Sequence, residues 1–131
     1  MEKFHKRNLA LFDQLETLHI SVDGATKKTY EKIRTGGKWE QIDSNLNYLS
    51  SISRKFCVYL HMVVQKDNWQ EMSMMTEMTN RLGFEKIYFN LIQDWGTGND
   101  CYDTQFTKLL EFKILVEKVR TNKKARLWGL Y

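Results

Sequence analysis

The chain has 131 residues, of which 42% are apolar and 13% aromatic, with 20 Lys plus Arg against 16 Asp plus Glu and no proline. That length suits one core rather than two, because domains cluster around roughly 100 to 150 residues, and the composition excludes a disordered or proline-rich spacer. The formal charge of +4 gathers near the ends (Lys3, Lys6 and Arg7, then Lys118, Arg120, Lys123, Lys124 and Arg126) without the basic stripe or motif of a nucleic-acid binder.

At the start, Met1 to Arg7 shows no apolar signal core, and no run approaches the roughly 18 apolar residues of a membrane span. Cys57 and Cys101 form neither a CxxC pair nor a disulfide framework, which points to a reducing, cytoplasmic setting. Neither nucleic acid nor membrane is expected as a partner.

Leu9, Leu11, Phe12 and Leu15 suggest an opening helix. Leu18 to Val22 then reads as a strand whose Leu18, Ile20 and Val22 share one apolar face, while His19, Ser21 and Asp23 share the other. A hydroxyl and a carboxylate thus arrive together at the strand's carboxyl end. They either hold a ligand or bond local backbone around an Asp23-Gly24 turn. Thr26 is placed to cap a helix over Lys27 to Arg34. Arg34, at that helix's end before Thr35-Gly36-Gly37, either complements the helix terminus or forks a carboxylate.

Trp39, Ile42, Leu46 and Leu49 mark the apolar face of a second helix. Phe56 to Val64 is the second strand, with Val58, Leu60, Met62 and Val64 on one face and Cys57, Tyr59, His61 and Val63 on the other. His61 reads as a lone hydrogen-bonded interior residue. Asp67 and Asn68 with Gln70 and Glu71 form capping-box patterns, which makes Asn68 structural. Trp69, Met72, Met75, Met78 and Leu82 repeat as a helix stopped by Gly83, with its methionines assigned to packing.

Ile87 to Ile92 is the third strand, and Asn90 is expected to face the same side as Ser21. The loop Gln93 to Cys101 carries Trp95, which either stacks on a substrate or lids the core. Phe106, Leu109, Leu110, Phe112, Val116 and Val119 mark a last helix, and Arg126 to Tyr131 adds a short strand or a tail. Strands alternating with covering helices predict an α/β fold, about three parallel strands, with ligands at the strands' carboxyl ends near Asp23, Gln65 and Gln93. No metal-ligand spacing is present, so no metal site is expected.

Ile20-Ser-Val-Asp-Gly24 and Ile33-Arg-Thr-Gly-Gly37, followed by Val63-Val-Gln-Lys-Asp-Asn68, Leu82-Gly-Phe-Glu-Lys-Ile87 and Asp94-Trp-Gly-Thr97, resemble in order and spacing the later part of a radical S-adenosylmethionine (SAM) domain of the SPASM-associated type. The likeness implies a single unit over residues 1–131, a fragment of a partial (β/α) TIM-like barrel. By that resemblance Ser21 and Asp23 lie at the SAM ribose and amino-acid side, Arg34 grips its carboxylate, Val63 flanks the adenine, and Asn90 and Trp95 face substrate. The family's CxxxCxxC segment, which holds a [4Fe-4S] cluster, is not in this sequence. The likeness therefore implies the C-terminal part of a radical SAM oxidoreductase or maturase, inactive alone and completed by the missing N-terminal half of the domain. An exposed sheet edge predicts self-association, and a non-catalytic half-barrel interaction module is the alternative. A phosphate-binding barrel fragment has only Gly36-Gly37 in its favour.

Overall fold

The computed structural model describes residues 1–130; Tyr131, the end of the expected tail, lies outside them. In chain order the elements are α1 (Glu2–Arg7), α2 (Leu9–Asp13), β1 (Thr17–Ser21), α3 (Lys27–Ile33), α4 (Trp39–Ser51), β2 (Cys57–Val64), α5 (Met72–Arg81), β3 (Lys86–Leu91), α6 (Leu110–Arg120) and β4 (Ala125–Trp128). The fold is α/β, and its sheet is all-parallel in the order β1-β2-β3-β4. The sheet has four strands where about three were expected. Ala125–Trp128 is the added strand, paired to β3 from Ile87↔Ala125 to Asn90↔Trp128.

A strand order that never reverses means that each crossover adds its strand on the same side of the last, as in a (β/α) barrel. Doubly wound sheets instead reverse order at a switch point and carry helices on both faces. Here one face is covered. Val58, Leu60, Met62 and Val64 of β2 and Ile87 and Phe89 of β3 are fully buried and share one core with Leu46 and Leu49 of α4, Met72 and Met75 of α5, and Phe112, Val116 and Val119 of α6. Each such side chain stabilises the fold by about 1.5–3 kcal/mol. The other face presents His19, Tyr59, His61, Val63, Tyr88 and Asn90, all exposed or half-buried, with no helix over it among the described residues.

Local chemistry sets the element ends. Thr26 has extended backbone and accepts from the Thr29 N–H, capping α3. The carboxylate of Glu31 in α3 accepts from the Trp39 N–H at 3.0 Å, which satisfies the first turn of α4, where Lys38 supplies no side-chain cap. Gly83, at φ +69°, ends α5 in a conformation that other residues adopt at a cost. At the amino ends of β2 and β3, Arg54 donates to Phe56 O (2.7 Å), Gly83 O (3.0 Å) and Glu85 (3.0 Å), while Glu85 accepts from the Val58 N–H (2.7 Å). This knot closes the end of the sheet away from the site. Phe106 packs under α6, but Leu109 and Leu110, expected on the same stripe, are exposed because α6 begins only at Leu110.

Candidate functional site

Beyond Ser21 the backbone of β1 makes one further ladder bond, Val22 N–H to His61 O at 2.8 Å, and then the side chain of Asp23 replaces the ladder. Its Oδ1 accepts from the Val63 N–H at 2.9 Å, and its Oδ2 accepts from both Nε and an Nη of Arg34, each at 2.8 Å. Asp23 is 4% exposed, whereas the Arg34 side chain is 45% exposed. One carboxylate thus joins β1 to β2 and orients a guanidinium whose remaining N–H groups point away from it. Gly24 is required beside it: a Cβ there would come within 2.7 Å of the Tyr30 backbone nitrogen, so only glycine lets α3 pack this close.

Two further side chains lock this corner. Asn68, buried after β2, donates to Asp23 O (3.0 Å) and Val63 O (2.8 Å) and accepts from the Gln65 N–H (2.8 Å). The Glu71 carboxylate accepts from the Ala25 N–H (2.6 Å), the Thr26 hydroxyl (2.8 Å) and the Thr29 hydroxyl (2.6 Å). The capping-box expectation placed both residues at their own helix. Asn68 instead makes no side-chain cap and bridges two strand ends, and Glu71 ties down the start of α3 from across the molecule through the Ala25 N–H and two threonine hydroxyls. Such cross-element bonds leave no local spacing signal beyond the paired hydroxyls of Thr26 and Thr29.

Val63 leads into a cleft of about 670 Å³ at the carboxyl ends of β2, β3 and β4. Val63, Asn90 and Trp95 line it together, as do Gln93, Tyr102 and Trp128. Trp95 is 83% exposed, so it walls the cleft instead of lidding the core. Its loop is shaped by Asp94, whose carboxylate accepts from the Gly96 and Thr97 N–H groups. Among the described residues no charged side chain lines the cleft, which gives it aromatic surfaces and two carboxamides for an uncharged, flat group.

The structure therefore joins Asp23, Arg34 and Val63 by hydrogen bonds and brings Val63, Asn90 and Trp95 together around one cleft. Ser21 stands apart. It is exposed at the end of β1 opposite His61, and no side-chain hydrogen bond ties it to Asp23 or Arg34 among the described residues. Tyr102 and Trp128 went unread in the sequence because they reach the cleft from a short 3-10 turn and from the added strand. His61 is not lone: its Nε2 lies 2.7 Å from Nδ1 of His19, and its ring stacks on Tyr88. Partial burial, and then the neighbouring His19, hold its pKa below the usual 6.5.

Among the described residues no group of three or more His, Cys, Asp or Glu is placed to hold a metal ion, and no helix is long and apolar enough to cross a membrane. No family model matches the chain, and no curated protein matches it.

Proposed function

We propose that the chain is the C-terminal part of a radical SAM enzyme, binding S-adenosylmethionine and inactive by itself. The observation that carries this reading is the Arg34–Asp23–Val63 linkage, whose last member lines the cleft. It ties a half-exposed guanidinium, with N–H groups to spare, through Asp23 to the strand that borders a neutral aromatic and carboxamide cleft. SAM has matching halves, a carboxylate-bearing amino-acid end and an adenosine end. In this reading Arg34 holds the carboxylate, Asp23 orients Arg34, Val63 borders the adenosine, and Asn90 and Trp95 face substrate.

When bound beside a reduced cluster, SAM supplies a 5′-deoxyadenosyl radical for hydrogen abstraction, and the protein's part is to bind and orient it. The cluster itself does not fit this chain. Cys57 points from β2 and Cys101 sits in a 3-10 turn after the cleft loop, and a [4Fe-4S] centre needs clustered thiolates. Its ligands would come from the complementary half of the barrel.

Saturation-transfer NMR on the chain tests the reading. SAM and adenosine should both show contact at the adenine and ribose protons, and Arg34→Ala should weaken SAM while leaving adenosine unchanged. Equal weakening of both, or no contact by either, refutes it.

A second reading is favoured by the uncovered face of the sheet, because all-parallel sheets are nearly always covered on both sides. In it the chain is a non-catalytic half barrel that pairs with itself or another chain. Sedimentation showing a defined oligomer, with no SAM contact by NMR, would select this reading over the first.

A further inference from the structure

We infer that His19 and His61, paired on the open face of the sheet, form a two-imidazole site for a tetragonal divalent transition-metal ion, Cu²⁺ or Ni²⁺. The parallel register sets His19 opposite Tyr59 and Ser21 opposite His61, so the two histidines are diagonal neighbours on one face. Nδ1 of His19 and Nε2 of His61 converge to 2.7 Å. His61 stacks on Tyr88 with centroids 4.8 Å apart and planes 9° apart, and the exposed His19 meets the edge of Tyr59 at 5.2 Å.

The affinity order points to the ion, since at a given nitrogen site Cu²⁺ binds most tightly of the divalent first-row ions and Ni²⁺ precedes it. The present 2.7 Å separation is that of a hydrogen bond between the rings, which opens when an ion enters. An imidazole-only donor set on an open face leaves the other positions to water and disfavours Mg²⁺ and Ca²⁺, which prefer oxygen. The two rings now share one N–H in a hydrogen bond. Loading shifts the donor ring's proton to its other nitrogen, so that both lone pairs face the ion with no net proton release. Rotation of the exposed His19 ring turns its lone pair from its partner to that common point.

Titration of the chain with Cu²⁺ alone near neutral pH, followed by electron paramagnetic resonance, tests the site. The expected result is one saturable tetragonal centre with coupling to two imidazole nitrogens. His19→Gln, at an exposed position that leaves the fold intact, should weaken it about tenfold or more, since even an outer partner's loss costs that much. His5→Gln, which removes the one other histidine of the chain, should leave it unchanged. A one-nitrogen spectrum, Cu²⁺ affinity unaltered in His19→Gln, or displacement of Cu²⁺ by equimolar Zn²⁺ would overturn the inference.

Discussion

Replacing Asn68 with Ala tests whether one buried amide holds the site's corner together. Asn68 is 1% exposed and makes three hydrogen bonds to backbone, two of them fully buried. A typical bond contributes about 1 kcal/mol net, and a buried group left without a partner costs about 1–3 kcal/mol. Three stranded backbone groups would give more than the simple sum, but water entering the vacated space recovers part of it. The expected loss is about 3 kcal/mol, a large share of the roughly 5–15 kcal/mol that holds a domain folded. Urea unfolding followed by the fluorescence of the adjacent, buried Trp69 should show it. At a slope of about 1–3 kcal/mol per molar, the midpoint falls by about 1–3 M. Asn68→Asp sharpens the test, because the acceptor for Gln65 stays while the donor amide becomes an oxygen facing the carbonyls of Asp23 and Val63. That variant should be destabilised at neutral pH and partly recover in acid, where a protonated carboxyl can donate. A loss below about 1 kcal/mol for Asn68→Ala, or wild-type stability for Asn68→Asp, would refute the bridging role.

Gly24→Ala drives a methyl to within 2.7 Å of the Tyr30 nitrogen and 3.1 Å of the Thr29 carbonyl carbon. Backbone cannot swing aside as a side chain can, so thermal melting should report a loss of about 1–3 kcal/mol, as overpacked sites do. The His61 pair adds a pH dependence. With the pKa of folded His61 lowered below the ordinary 6.5, the unfolded chain binds more protons between those two values, so stability rises with pH there. The contribution is complete above about 6.5 and declines as pH falls, levelling off below the folded value. Denaturation midpoints measured across that window should slope in wild type and flatten in His61→Gln.

Faces were legible in the sequence because the alternation of side chains in a strand is a property of the backbone alone. Val58, Leu60, Met62 and Val64 announce an inward face wherever the strand is placed, and the same holds for the α4 stripe of Leu46 and Leu49. β4 was legible only as a strand or a tail, because four residues with a single buried side chain, Ala125, carry too little pattern. Partners across the sheet are a different kind of information. His19 meets His61 only because β1 pairs with β2 in the register Thr17↔Cys57, and a one-residue slip would send one of the rings to the helix side. Register follows from how the cores of all four strands fit at once, which no window of sequence contains. The same limit explains Arg34. Its position after α3 made a carboxylate partner readable, but which carboxylate depended on α3 returning over Gly24, and that return brings it to Asp23 within its own chain. Because the pairing leaves guanidinium N–H groups outward, it positions Arg34 without exhausting it, and so a structural and a binding role for that residue are compatible.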